Sequence, residues 1–391
     1  MPYRFSPEIL LQYFLKREST QFFVSVAIRY LALGMVGIYE PIFIYLYFGK
    51  SLPPTLLFWA AIYGLFGLLV VFGGKIMARI GLKHTMLVSQ FFFFAYYLIL
   101  FFIYINPLMV ILAVLIRSLG MTLFWPAFHT DFVRFTKKED RGADVGKLSG
   151  ISFAANIISP VIGGIILANF GYLVLFVVVL VTLLASVFPL FLSKERYEIY
   201  SDTYTKAWQR IRKNKSVSLG LASLGIESAG IMVFWPLFMF IKEISFEEMG
   251  GITTFGLLVA TLFALYIGRL TTKKQKTHLL SFGSYLLSLV WIVKCFVKDT
   301  LTAFLAHNFY RIAKTSAFIP FRTIIYDKAA AKKEEADEFL IYREVVLNLS
   351  KMSFLTLMAI IFVFLPDLRI GFLFASIGAL GMSFLGKKLN F

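Results

Sequence analysis

Cysteine is nearly absent from this chain: Cys295 is the only one in 391 residues, and charged residues make up just 16%. A lone thiol excludes an intramolecular disulfide and any multi-cysteine metal site. Catalytic signatures are missing as well, with no HExxH zinc motif, no Gly-x-Ser-x-Gly elbow and no GxxxxGK[ST] phosphate loop. Those absences remove the usual marks of a zincin, an elbow-type hydrolase and a nucleotide-driven pump. His129-Thr130-Asp131 sets a base near a carboxylate, yet residues two apart on a helix point in different directions. The chain is therefore expected not to be an enzyme and to need no cofactor or metal. Acidic residues are also scarce, 22 against 39 Lys and Arg, for a formal charge of +17. The basic residues are scattered over short segments rather than gathered in one stripe, which argues against nucleic acid as a partner.

Apolar residues dominate instead. They account for 59% of the chain and the mean hydropathy is +0.78, which places it in lipid rather than water. Crossing a hydrocarbon core takes roughly 20 residues of helix. Runs of that kind are expected near 21–47, 52–72, 85–105, 107–130, 147–169, 171–192, 216–241, 250–268, 278–298, 300–325, 340–365 and 370–386. The first 20 residues carry Arg4, Lys16 and Arg17 but no short apolar run ending in small residues, so no cleavable signal is expected.

The chain also repeats itself. Pro41 and Pro236, Gly73 and Gly268, and the Lys137-Lys138-Glu139 and Lys332-Lys333-Glu334 runs lie 195 residues apart; Arg117 and Arg311, Pro126 and Pro320, and His84 and His278 lie 194 apart. A period this long is too large for a solenoid, and in a membrane protein it is the mark of two duplicated bundles, as in transporters. The expected fold is an all-α polytopic membrane protein of about twelve helices in two pseudo-symmetric six-helix bundles, residues 1–192 and 217–391. Segment 193–216, the longest polar run, joins them. Its Tyr197, Tyr200, Tyr204, Trp208 and Ile211 recur at spacings of three and four, which suits either an amphipathic helix on an anionic leaflet or a solvated linker.

Loop charge sets the expected orientation. With the N-terminus inside, 28 Lys and Arg fall in inner segments and only Lys50, Lys242, Lys298 and Arg369 in outer ones. Both termini are thus expected in the cytoplasm, in a prokaryotic inner membrane.

Between the second and third runs the chain reads Gly73-Gly74-Lys75-Ile76-Met77-Ala78-Arg79-Ile80-Gly81-Leu82-Lys83-His84-Thr85. This resembles the signature loop of the major facilitator superfamily, and Gly268-Arg269-Leu270 repeats it weakly. The fourth run carries Arg117-Ser118-Leu119-Gly120 and then Phe124-Trp125-Pro126, similar to the family's arginine-glycine element with a spacing one residue shorter. In the fifth, Ser159-Pro160-Val161-Ile162-Gly163-Gly164 is similar to the Gly-Pro-x-x-Gly-Gly element of the family's proton-driven exporters, with Ser in place of the first Gly. The resemblance implies a secondary transporter working by alternating access, with proton-coupled efflux as its direction. It also implies a cytoplasmic gate built on Gly74, Arg79, Gly81, Lys83 and Asp131. Where the family usually has Asp, Ala78 stands; Arg79 has Asp131, Asp140 or Asp144 as alternative partners.

Charged groups inside the runs mark the candidate site, because each costs at least ~2.5–3.5 kcal/mol to insert. Arg117, Glu227, Arg311 and Lys351 lie ten or eleven residues from the expected helix ends, roughly 16 Å deep at ~1.5 Å per residue. His307, Arg311, Lys314 and Phe318 form one helical stripe, and Glu344, Asn348 and Lys351 another; Asn156 and Ser159, and Ser223 beside Glu227, add polar groups. The substrate-binding candidates are Arg117, Asn156, Glu227, Arg311, Lys314, Asn348 and Lys351. Their positive excess favours a small anionic or amphipathic cargo, since guanidinium groups bind carboxylate and phosphate bidentately. Pairing of Arg311 or Lys351 with Glu227 would leave a nearly neutral cavity, and Lys314 has the option of snorkelling toward the cytoplasm. Glu227 is the first candidate for proton coupling and Glu40 the second. Expected partners are a small-molecule or lipid-like substrate and membrane lipids, with the chain working as a monomer. A lipid flippase of the same fold and a non-transporting receptor or scaffold are the alternative functions.

Overall fold

The computed structural model describes residues 18–135, 141–186, 188–191, 195, 197, 200, 204–272, 276–331 and 336–385. The repeated Lys-Lys-Glu runs, Asp140 and much of 193–203 lie outside those residues. Among the described residues the secondary structure is helical. The helices are α1 (Glu18–Val36), α2 (Glu40–Tyr47), α3 (Leu52–Ile80), α4 (Leu82–Phe101), α5 (Leu108–Phe135), α6 (Arg141–Asn156), α7 (Ser159–Ala185) and α8 (Phe188–Phe191). The second half continues with α9 (Tyr204–Lys213), α10 (Lys215–Ala229), α11 (Trp235–Ile241), α12 (Phe246–Thr272), α13 (Lys276–Lys294), α14 (Thr300–Ala331), α15 (Ala336–Phe364) and α16 (Leu368–Gly381).

Ten stretches are long and apolar enough to cross a membrane. One of them, Arg141–Ala185, makes two passes, because Gly171 at φ 76° reverses the chain inside α7. A side chain there would be strained, and glycine carries none. Helix α14 spans 32 residues and is long enough to cross as well. With it the passes come to twelve, as the apolar runs suggested.

The prolines 195 apart break their helices at matching places. Pro41 starts α2 after a turn at 37–39, and Pro236 starts α11 after a π-helical segment, Gly230–Phe234, that continues α10. Each proline lacks an N–H to offer, so the carbonyl four residues earlier loses its helical donor and the ladder shifts or opens.

The signature segment 73–85 is not a loop as its family resemblance suggested. Helix runs through Ile80 and restarts at Leu82, with Gly81 at φ 91° as the only break. Glu195 from the linker fixes this corner, accepting the backbone N–H of Lys83 at 2.9 Å and of His84 at 2.8 Å and lying 2.5 Å from the His84 Nδ1. A carboxylate is well placed there, since the first N–H groups of a helix have no intrahelical partner.

Polarity is distributed in the reverse of a water-soluble protein. Leu68, Phe91, Phe102, Leu262, Phe282, Phe309, Ile360 and Phe364 are exposed, while Arg29, Glu40, Glu227, Lys294, Arg343, Glu344 and Lys351 are buried. An apolar outside around a charged inside is what a lipid solvent selects. The first six passes meet the last six along two seams: α3 packs on α15, and α6 with the start of α7 packs on α12. The pairing of second pass with eleventh, and fifth with eighth, is what a pseudo-twofold exchange of the halves requires. Close approach along the second seam rests on Gly146 and Gly268, where a Cβ on either would lie 2.9 Å from the other's Cα.

Candidate functional site

Each half buries a carboxylate among aromatic rings. In the first, Glu40 opens α2; its Oε1 accepts from Tyr96 Oη at 2.5 Å and its Oε2 from Tyr97 Oη at 3.2 Å, both on α4. Arg117 Nη2 on α5 lies 3.7 Å from the same Oε2, with its guanidinium 4.9 Å from the Phe93 and Tyr96 ring centres. The Nε and Nη1 of Arg117 are buried without a hydrogen-bond partner. Arg29 sits separately, donating to Gln90 Oε1 at 2.6 Å between the rings of Phe93 and Phe124.

In the second half, Glu227 on α10 is fully enclosed. Tyr310 Oη donates to its Oε1 at 2.9 Å, Trp291 Nε1 approaches the same oxygen at 3.4 Å, and Lys314 Nζ pairs with Oε2. Arg311, the repeat partner of Arg117, donates from Nε to His307 Nε2 at 3.1 Å and makes no ion pair among the described residues. Lys294 ends α13 with no exposure and no hydrogen-bond partner. Its ammonium rests on Trp235, Tyr310 and Trp291 at 3.7, 4.1 and 4.7 Å from the ring centres.

The second half thus sets three cations around one carboxylate. Lys351 brings a fourth to the seam between halves, 4.4 Å from the ring of Tyr63 on α3, with Glu344, Arg343, Lys314 and Glu227 as its charged neighbours. Counting both halves and the seam, the buried and half-buried cations Arg29, Arg117, Lys294, Arg311, Lys314, Arg343 and Lys351 outnumber Glu40, Glu227 and Glu344, and the excess is cationic.

The site expected from sequence therefore divides. Glu227, Arg311, Lys314 and Lys351 come together; Arg117 turns to Glu40 inside the first half. The partner of Glu227 is Lys314, not Arg311 or Lys351, so Lys314 does not reach for the cytoplasm. Asn348 donates to Glu344 at 2.8 Å to the carbonyl and 3.1 Å to Oε2. Asn156 ends α6 against Gly34 of α1, its Oδ1 without a donor. Lys294 was missed: it stands at the last residue of its helix, and its rings come from positions 235, 291 and 310, so nothing local marks it.

The halves also touch at both ends. At the end where α3 meets α4, His129 Nδ1 lies 2.6 Å from Tyr326 Oη, His129 Nε2 is 3.5 Å from Glu344 Oε1, and Arg141 pairs with Asp327 at 2.9 Å. Gly74 faces Ile341 and Tyr200 there, and a Cβ would lie 2.3 Å from Ile341 Cδ1. Of the expected gate, Lys83 and Asp131 are buried, whereas Arg79 is exposed and makes no ion pair among the described residues. Asp144 pairs with Lys147 instead. At the opposite end Tyr39 Oη lies 2.7 Å from the carbonyl of Pro160 and 2.9 Å from that of Phe246. Pro160 belongs to the exporter-like element, so that element sits at the contact between halves. Beside it lies a pocket of about 530 Å³ lined by residues that include Tyr45, Lys50, Glu243, Phe246 and Glu247.

A twelve-pass bundle in two exchangeable halves around buried charge is the architecture of a secondary transporter. The sequence model of the Major Facilitator Superfamily matches residues 22–337, and the chain belongs to that family. No curated protein sequence matches it. Among solved structures, the human organic anion transporter MFSD10 (TETRAN) is similar at a TM-score of 0.72 and 11% identity, over 98% of this chain and 100% of that one. The transporter FucP in its outward conformation is similar at 0.68 and 10% identity, over 95% and 99%. A structure of the E. coli fucose:proton symporter FucP gives 0.66 and 11%, over 98% and 99%.

Proposed function

We propose that this protein exports a small anionic or amphipathic solute by alternating access, driven by protons moving the other way. The observation that carries the charge class is the surplus of buried cations: Glu227 has one ion-paired partner, Lys314, and Arg311, Lys294 and Lys351 have none among the described residues. Buried unpaired cations are costly, and an anionic cargo supplies what they lack. The organic anion transporter of similar fold carries cargo of that charge class.

Export is supported by the Ser159-to-Gly164 element, which lies where the halves touch. Coupling falls to Glu227 first, because its protonation releases Lys314 and changes the charge of the whole cluster, and to Glu40 second. The 28-to-4 loop asymmetry supports cytoplasmic termini, in a prokaryotic inner membrane, with the chain acting as a monomeric carrier rather than a catalyst.

A thermal-shift screen of detergent-purified protein tests the charge class, since a ligand that binds only the folded state raises its apparent stability. Organic anions should stabilise; stabilisation by cations alone overturns the proposal. For coupling, an imposed pH gradient should drive flux in liposomes, and Glu227→Gln should uncouple it. Flux indifferent to the gradient removes Glu227 from that role.

A further inference from the structure

Lys294 adds to the cationic surplus, yet it is too enclosed to meet a cargo directly. It is a lysine with no exposure, no hydrogen-bond acceptor and no carboxylate within ion-pair distance, held by three aromatic faces. Cation–π contact offsets part of its desolvation, but three rings do not replace a counter-ion. Two of those rings matter elsewhere. Trp291 and Tyr310 are the side chains whose Nε1 and Oη point at Glu227 Oε1, so ammonium and carboxylate are separated by one pair of rings.

We propose that Lys294 is a second counter-ion of Glu227, held in reserve in its aromatic cage, and that it takes over the carboxylate when an anionic cargo engages Lys314 and Arg311. Access favours this division. Lys314 and Arg311 are only partly buried, whereas Lys294 has no exposure. When Lys314 turns to the cargo, Glu227 keeps only the neutral donors of Tyr310 and Trp291 in a closed site, an expensive arrangement for a carboxylate. Lys294 is a cation without an ion pair that rests on Trp291 and Tyr310, the same two side chains that approach the carboxylate. The exchange turns one ion pair and one lone ammonium into two ion pairs, with no net charge created.

The exchange also reaches a hinge. Trp235, the ring nearest Lys294, directly follows the π-helical segment 230–234, and its backbone N–H bonds to Gly230 O in the π register. Departure of Lys294 uncovers that ring at the bend of the seventh pass. Cargo binding is thereby linked to the helix most able to change its path. The groups facing the cage are Glu227 from α10, Trp235 from α11, Trp291 from α13 itself, and His307, Tyr310, Arg311 and Lys314 from α14. Phe372 of α16 closes it against Trp235 and Trp291.

The role of the exchange rests on the anionic-cargo reading, but the exchange itself is testable without cargo. Thermal unfolding of Lys314→Met, Lys294→Met and the double variant gives a cycle whose non-additivity measures the coupling. Each single variant should melt near the wild type, because either lysine serves Glu227. The double variant should lose several degrees more than the sum, and adding Glu227→Gln should restore most of it. Additive losses, or no restoration, overturn the proposal. Tryptophan emission gives a second reading on a single variant: in Lys314→Met the ammonium should leave its cage, changing emission from Trp235 and Trp291, and Trp235→Phe should reduce the change. Emission identical to the wild type means Lys294 has stayed put and the proposal fails. A coupled cycle in a protein that moves no organic anion would leave the counter-ion pair standing and sink the cargo reading alone.

Discussion

Glu40 and Glu227 are each buried at the first helix of a half, and each is met by side chains from that half's third and fourth passes. Tyr96 and Trp291, which approach them, lie 195 residues apart, and Arg117 and Arg311 lie 194 apart. The carboxylates themselves are out of register: the position 195 beyond Glu40 is Trp235, the ring under Lys294. The aromatic and cationic surroundings thus repeat between the halves while the acid sits at a different place along its helix. The first half sets Arg117 beside Glu40 and settles its second cation, Arg29, on Gln90 and the rings of Phe93 and Phe124. In the second, Lys314, Arg311 and Lys294 surround Glu227, and a larger surplus of charge remains. The two halves thus differ: one holds its acid in a settled nest, the other in an unsettled one.

Removing each acid separates the two most sharply. Glu227→Gln leaves its cluster without a counter-charge and should destabilise by ~3–5 kcal/mol, the cost of breaking a buried pair. Glu40→Gln keeps amide hydrogen bonds with Tyr96 and Tyr97 and leaves Arg117 on its rings, for a smaller loss of about 1–3 kcal/mol. Thermal unfolding of the two variants side by side checks the order; equal losses would erase the distinction.

The two ends offer a second contrast. Tyr39→Phe removes the one hydroxyl that bridges Pro160 and Phe246, worth about 1 kcal/mol, and should shift the population several-fold toward opening at that end. Spin labels at Lys50 and Ser245 should report a longer distance. His129→Phe, which cuts the contact to Tyr326 and Glu344, should leave that distance unchanged or shorten it.

The smallest effect lies in two equivalent helix ends. Gly49 at φ 63° and Glu243 at φ 61° occupy the same place in 6→1 turns closed by Lys50 N to Tyr45 O and Ile244 N to Met239 O. Glycine is at ease there and glutamate is not. Glu243→Gly should stabilise by about 0.5–1 kcal/mol, seen as a small rise in melting temperature. A fall would mean that the Glu243 carboxylate contributes more than its backbone costs.

Much of this was legible before any coordinates. The spacing of Pro41 and Pro236 marked the internal repeat, although the breaks they make in their passes were not foreseen, and Arg311, Lys314 and Lys351 stood out as candidates because charge in an apolar run is conspicuous. What sequence could not reveal was partnership. Nothing near Arg117 says that it turns to Glu40, 77 positions away, and nothing near Lys294 announces a cage drawn from α11, α13 and α14. The corner at Gly81 shows the same limit. Its family resemblance directed attention to an acid missing at Ala78, while the carboxylate that holds it is Glu195, in the polar linker 112 positions beyond Lys83. Local rules reach as far as a helix turn, and the site is assembled across three or four helices.

If the surplus cations of the second half receive an anion, the charge of the cargo decides what crosses the membrane. Flux of labelled organic anions and organic cations through proteoliposomes, wild type beside Lys314→Met, reads that choice. Saturable anion movement that the variant loses while keeping its melting temperature is the predicted result; saturable movement of cations alone, undiminished in the variant, would contradict it.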